Sequence, residues 1–246
     1  MKVLLLGAGY GTRLYPLTKN RPKPLLSIGR KPMVEWILDR LLPVPGLDGV
    51  ALVTNSRFAD NFEDWRKGYK CPVPVAVYND GTSSNDDRLG AVGDIQFTIR
   101  EGKIDDDLLV VAGDNLFEFD VAKMVAFGRE KGGPVVCLKD MQHLGPLISQ
   151  YSVVTLDANK RITDFEEKPA RPKTTLISIC LYYFPKATLP LVDKYLAAGH
   201  NKDQPGWYIQ WLVRQVPTYG FVIDGLWFDI GDIDSYDKAN ELFEKR

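Results

Sequence analysis

Short apolar runs alternate with amphipathic stretches along the first 140 residues. Lys2–Leu6 is an apolar run of strand length, and Gly49–Thr54, Val73–Tyr78, Leu108–Ala112 and Pro134–Lys139 repeat the pattern. The segments between them carry helical spacing. In Pro32–Leu42, Val34, Ile37, Leu38 and Leu41 share one face, and Pro32 suits a first turn, where its missing N–H is not needed. Phe58–Lys67, Ala91–Arg100 and Asp120–Lys131 also read as helices. This alternation predicts an α/β chain with a mainly parallel sheet and helices on both faces.

After Lys139 the pattern changes. Tyr151–Leu156 and Arg161–Glu167 read as a strand pair joined through Asp157, Ala158 and Asn159, with a further strand at Leu176–Tyr183. Lys186–Ala198 and Gly206–Val216 are predicted helical. Asp232–Arg246 is a predicted terminal helix, with Ile233, Tyr236, Ala239/Asn240 and Phe243 near one face. No linker, repeat or low-complexity block divides the chain, so one domain over residues 1–246 is expected.

Composition narrows the function classes. Hydrophobic residues make up 45% and charged residues 26% of 246, as in an ordinary globular protein. A net charge of −1 lacks the basic surplus of a general nucleic-acid binder. No apolar run approaches the roughly 18 residues of a membrane span, and Val3–Leu6 is too short for a signal-peptide core. The expectation is a cytoplasmic protein with neither nucleic acid nor membrane as partner. Cys71, Cys137 and Cys180 are far apart and read as reduced thiols. With His143 and His200 also isolated, no zinc spacing exists.

Charge along the chain is less even than its total. Met1–Val34 holds seven bases and no acid, Asp86–Asp120 ten acids against three bases, and Asp224–Arg246 seven acids against three bases. The basic opening coincides with a glycine-rich turn, Gly7-Ala8-Gly9-Tyr10-Gly11-Thr12-Arg13-Leu14, directly after the first strand. Glycines let backbone N–H groups approach a ligand, and an array of them makes a concave anion site. The spacing is neither the dinucleotide G-x-G-x-x-G nor Walker A.

The chain resembles the sugar-1-phosphate nucleotidylyltransferases, such as glucose-1-phosphate thymidylyl- and uridylyltransferases. The resemblance rests on Gly7-x-Gly9-x-Gly11-Thr12-Arg13-Leu14-x-Pro16-Leu17-Thr18, Pro22-Lys23-Pro24-Leu25-Leu26 and Lys31-Pro32-Met33. It continues through Gly113-Asp114-Asn115, Phe165-Glu166-Glu167-Lys168-Pro169 and Trp227-x-Asp229-Ile230-Gly231, in order along nearly the whole chain. It implies a Rossmann-like, GT-A-like nucleotidyltransferase fold with a mixed, mainly parallel central sheet flanked by helices. Residues 1–140 would mainly bind nucleotide and 141–246 mainly sugar phosphate.

The implied reaction is attack of a sugar 1-phosphate on the α-phosphorus of an NTP, with loss of pyrophosphate. The nucleophile is already anionic, so charge neutralisation and positioning dominate. Arg13, a planar fork, suits the outer phosphates, and Lys23 is a point charge for the α-phosphate and pyrophosphate. By resemblance Lys168 holds the sugar phosphate and Glu167 the sugar hydroxyls. Asp114 and Asp229 are hard ligands for Mg²⁺. Arg13, Lys23, Asp114 and Lys168 are therefore the expected catalytic set. Leu6, Gly7, Ala8, Gly9, Gly11, Thr12, Asn79, Arg88, Leu89 and Gly113 are expected to complete the nucleotide site. Asn115, Tyr151, Ser152 and Tyr182 are expected to complete the sugar-phosphate site.

The sequence departs from the family pattern at both subsites. Asn79 stands where a base-reading Gln is usual, and Arg88 replaces the glycine before Leu89. A pyrimidine is preferred, with U, T and C left open. Ser152 and Cys180 replace glycines and point either to altered packing or to an acceptor other than glucose 1-phosphate. Two alternatives stay open: transfer to a non-sugar phosphate such as phosphocholine, and a catalytically silent nucleotide-sugar-binding protein. Trp207, Tyr208 and Trp211 cluster in sequence but read as a core-facing helix. The chain stops directly after its terminal helix, so no C-terminal β-helix is expected. Homo-oligomerisation is compatible with the resemblance.

Overall fold

β1 (Lys2–Leu6) is apolar on both faces, so both sides of the sheet that contains it must be covered. The computed structural model, which describes residues 1–244 apart from the side chains at 143 and 144, meets that requirement with three layers. Lys245 and Arg246, the end of the expected terminal helix, and the side chain of His143 lie outside the described residues. Val3 and Leu5 enter one core and Leu4 the other, as strand alternation requires. The first core is covered by α1 (Met33–Leu41), α2 (Ala59–Gly68), α4 (Val121–Lys131) and α7 (Ile233–Phe243). The second is covered by α3 (Ala91–Glu101), α5 (Pro190–Ala197) and α6 (Pro205–Leu212).

The remaining strands are β2 (Ser27–Ile28), β3 (Lys31–Pro32), β4 (Gly49–Thr54), β5 (Val75–Asn79), β6 (Leu108–Ala112), β7 (Asn115–Glu118), β8 (Val135–Asp140), β9 (Val153–Leu156), β10 (Ile162–Glu166), β11 (Leu176–Phe184), β12 (Tyr219–Ile223) and β13 (Leu226–Asp229). The nine-stranded main sheet runs β10-β9-β11-β6-β1-β4-β5, with β8 paired to β11 and β12. The block β6-β1-β4-β5 is parallel, while β11 runs antiparallel to β6, β8 and β9. The mixed α/β fold expected from alternation is therefore present. β1 leads to β4 on one side, whereas β6 returns to its other side. This topological switch point opens a crevice beyond the strand ends Leu6 and Ala112.

Several boundaries moved, each for a local reason. The helix expected over Lys186–Ala198 begins as a single 3₁₀ turn at Lys186–Thr188 and restarts as α5, with Pro190 in its first turn. α6 ends at Leu212 instead of Val216. β7, β13, β12 and the β2–β3 hairpin carry no clean period-2 signal and exist through their partners: Asp229 pairs with Asn115, and Phe221 with Cys137. α7 starts on a capping box between Asp232 and Ser235 and anchors the β2–β3 hairpin through Asn240 Oδ1, which accepts from Gly29 N at 2.8 Å. Among the described residues no helix is long and apolar enough to cross a membrane.

Leu109 is fully buried on β6, opposite Val3 of β1 and Tyr183 of β11. Leu109→Ala should cost about 3 kcal/mol through lost burial plus a cavity. A lowered urea midpoint of that size would be the expected readout.

Candidate active site

The glycine turn after β1 and the loop after β6 form the two lips of the crevice. Gly7 N donates to Val53 O at 2.9 Å and Gly113 N to Leu6 O at 3.0 Å, holding both loops against the sheet. Gly11 has φ 61°, a conformation that side chains rarely adopt, and its carbonyl accepts from Thr18 Oγ1 at 2.7 Å. The chain then turns through Thr12–Leu14, which brings Arg13 to the cavity. The cavity is about 560 Å³. Of the expected site residues, Leu6, Gly7, Ala8, Gly9, Gly11, Thr12, Arg13, Lys23, Arg88, Gly113, Asp114, Asn115 and Asp229 line it.

Its polar centre is an ion pair. Lys23 Nζ donates to Asp114 Oδ2 at 2.8 Å, and Lys23 as a residue is only 8% exposed. Burial alone would raise the Asp114 carboxyl, but Lys23 and the Asn115 amide hold it below its ordinary value. Asn115 Nδ2 donates to Asp114 Oδ1 at 2.8 Å, and Asn115 Oδ1 accepts from Trp227 Nε1 at 2.6 Å. Trp227 packs edge-on against Tyr151, with ring centroids 5.7 Å apart. The β7–β13 pairing and an Ile230 N to Asp114 O bond of 3.1 Å bring Asp229 to the same place. Burial, and then the charge of Asp114, push the Asp229 carboxyl up to about 6. Two hard carboxylates, one destabilised by the other, fit a divalent cation that would relieve their repulsion.

The expected sugar-phosphate residues adjoin this centre but, apart from Asn115, do not line the cavity. Glu167 accepts from Ser152 Oγ, its side chain is 4% exposed, and Lys168 Nζ lies 4.0 Å from its Oε1. Lys168 is half-exposed and has a strained φ of 45°. A Cβ on Gly206 would lie 1.6 Å from Glu167 Oε2, so only glycine fits there. Cys180 lines the cavity at the irregularity of β11, in the fields of Asp114, Asp229 and Glu167. Burial and these charges push its thiol up to about 12, so it is neutral. Tyr182 is buried behind it.

The nucleotide side differs from expectation. Asn79 is exposed and does not line the cavity; its Oδ1 is taken by Ser56 Oγ at 3.1 Å and Gly81 N at 2.9 Å. Leu89 lines a neighbouring crevice with Phe97 and Leu196. Arg88 reaches the cavity, but its Nε donates to Asp203 Oδ1 at 2.8 Å and its Nη2 to Oδ2 at 2.5 Å, so its guanidinium is engaged. Asp80, Asn85, Asp94, Asp203 and Gln204 line the cavity and were not anticipated. For Asp94 a signal existed: it occupies the buried stripe of α3 with Val92, Ile95 and Thr98, where helical spacing demands an apolar side chain. Of the three clustered aromatics, Tyr208 is buried, Trp211 packs against the second core and Trp207 is 39% exposed. None of them lines the cavity.

Burial, then Asp80 and Asp203, push the Asp94 carboxyl from 3.8 up to about 8, opposed weakly by Lys202. Between these values the folded chain holds a proton that the unfolded chain releases, so stability falls as pH rises from about 4 to about 8. Asp94→Asn should remove that fall. The Tm difference between pH 5 and pH 8, measured on unliganded protein, should be smaller in the variant than in wild type.

The sequence model of the nucleotidyl transferase family matches residues 2–246. A UTP–glucose-1-phosphate uridylyltransferase of Synechocystis sp. is 34% identical over 97% of this chain and 62% of its own length. The bifunctional protein GlmU of Methanocaldococcus jannaschii is 26% identical over 94% of this chain and 51% of its own. The chain thus spans between half and two thirds of these two relatives. It spans 97% of a third, a UTP–glucose-1-phosphate uridylyltransferase of Haloferax volcanii, at 25% identity. A UDP-glucose pyrophosphorylase structure with UDP-glucose shares the fold at TM-score 0.84 and 18% identity, covering 99% of this chain and 98% of that one. With a family match over nearly the whole chain and the shared fold, this chain belongs to the nucleotidyl transferase family.

Proposed function

We propose that the chain transfers a uridylyl group from UTP to a sugar 1-phosphate, releasing pyrophosphate, with Mg²⁺ as cofactor. The observation that carries this reading is the cavity centre, where Lys23 pairs with Asp114 beside a destabilised Asp229, next to the glycine turn. Pyrimidine use is supported by the two uridylyltransferases among the relatives. Residues 1–140 would hold the nucleotide, and 141–246 the sugar phosphate.

In this reaction a phosphate oxygen of the sugar 1-phosphate forms a bond to the α-phosphorus. The bond from that phosphorus to the α,β-bridging oxygen breaks, and pyrophosphate leaves with the electron pair. Arg13 and Lys23 offset the charge of the two anions, and the glycine-turn amides orient the phosphates. Lys168 binds the acceptor phosphate, and Glu167, held by Ser152, accepts from sugar hydroxyls. Asp114 and Asp229 would hold the cation, which supplies further neutralisation of the phosphate oxygens when bound.

The test is pyrophosphate release from UTP and glucose 1-phosphate with Mg²⁺. Asp114→Asn and Asp229→Asn should each lower kcat by about 100-fold or more with unchanged circular dichroism; turnover near wild type in both would sink the metal assignment. Lys168→Ala and Gly206→Ala should mainly raise the acceptor KM, the second by displacing the Glu167 carboxylate. An unchanged acceptor KM in both would remove Lys168 and Glu167 from the acceptor site.

A further inference from the structure

The short sheet β7–β13 carries three polar groups on one face. Asp229 stands directly opposite Asn115, and Trp227, two residues before Asp229, projects from the same face as both. Opposite and diagonal neighbours on one face of an antiparallel pair are within side-chain reach. Trp227 Nε1 donates to Asn115 Oδ1 at 2.6 Å, and Asn115 Nδ2 donates to Asp114 Oδ1 at 2.8 Å. The orientation of this amide is chemically forced. An indole N–H can only donate and a carboxylate can only accept, so the amide oxygen must face Trp227 and its nitrogen Asp114. Rotated by half a turn, the amide would set oxygen against oxygen at Asp114 and N–H against N–H at Trp227. The other carboxylate oxygen, Asp114 Oδ2, accepts from Lys23 Nζ at 2.8 Å, so each oxygen has its own donor.

We propose that Trp227 is a positioning residue of the transfer reaction, its indole N–H locking the Asn115 amide and, through it, the orientation of the Asp114 carboxylate. This rests on the uridylyl-transfer reading. Trp227 does not line the cavity, so it acts through Asn115 and not on a substrate. Its edge contact with Tyr151, at 5.7 Å between centroids, is one that a phenylalanine ring could also make; only the indole adds the N–H. Asn115 is 7% exposed, so without that N–H its Oδ1 becomes a buried acceptor with no donor. The amide is then free to turn, and Asp114 loses a fixed partner. The cost falls on the chemical step, where the geometry of Asp114 matters, more than on substrate affinity.

The experiment is a double-mutant cycle of Trp227→Phe and Asn115→Ala, read as pyrophosphate release from UTP and glucose 1-phosphate with Mg²⁺. Trp227→Phe should lower kcat about tenfold, with the KM of each substrate within about threefold of wild type. In the Asn115→Ala background the same substitution should change kcat by less than about twofold, because the group it acts through is gone. Trp65→Phe is the control. Its indole N–H also bonds a side chain, Glu35 Oε1 at 3.0 Å, away from the cavity. Its kcat should stay within about twofold of wild type. A second readout needs neither turnover nor a change at Trp227. In the proton–nitrogen correlation spectrum of unliganded protein, Asn115→Ala should move the assigned Trp227 indole N–H resonance upfield, as loss of its acceptor requires, and leave that of Trp65 in place. A Trp227→Phe kcat equal to that of wild type overturns the assignment and leaves uridylyl transfer standing. So does an undiminished effect in the Asn115→Ala background, or a Trp227 resonance that Asn115→Ala does not move. If wild type itself releases no pyrophosphate, the uridylyl reading fails, and this assignment with it.

Discussion

Lys23 and Asp114 are 91 residues apart in sequence and 2.8 Å apart in space. A lysine as buried as Lys23 needs an anion, and a carboxylate at the end of a buried strand needs a cation. Each therefore fixes the other. The contact exists only because β6 lies beside β1, which sets the loop after β6 against the segments that follow β1. From Asp114 the constraint spreads through Asn115 to Trp227 and Tyr151, and across the β7–β13 pair to Asp229. The short two-stranded sheet, minor by size, carries one carboxylate of the candidate metal site and borders the other.

The cavity stores unfavourable electrostatics in two places. Asp229 sits in the field of Asp114, and Asp94 in the fields of Asp80 and Asp203. Neither arrangement helps the unliganded chain to fold. The first makes sense when the missing partner is a ligand, a cation between the two carboxylates. The proposed acceptor side is built differently. Glu167 is held by Ser152 and enclosed by Gly206, so its position is set by packing. Such a carboxylate is preorganised.

The strands around β1 were legible because each is apolar on both faces and short, which only a parallel sheet covered by helices accommodates. The glycine turn, Lys23, Asp114 and Asp229 were legible because each stands in a short family motif, whereas the residue alone, a loop lysine or a carboxylate at a strand end, points to no role. The expected site residues that reach the cavity are nearly all of this kind. Asn79 and Leu89 do not line the cavity, because a one-residue difference in a turn decides which way a side chain faces. Asn79 spends its carbonyl on Ser56 and Gly81, and its neighbour Asp80 faces inward instead.

What the sequence determined by itself, then, was the layered α/β architecture, the glycine turn and, through the family motifs, the residues of the candidate site, since periodicity and local motifs act within a few residues. Which acidic residues meet, that Arg88 is captured by Asp203, that Asp94 is buried beside Asp80 and that Gly206 must make way for Glu167 were decided only in three dimensions. Those facts depend on through-space fields and on atomic contacts between segments tens of residues apart, and no pattern along the chain encodes a distance between them.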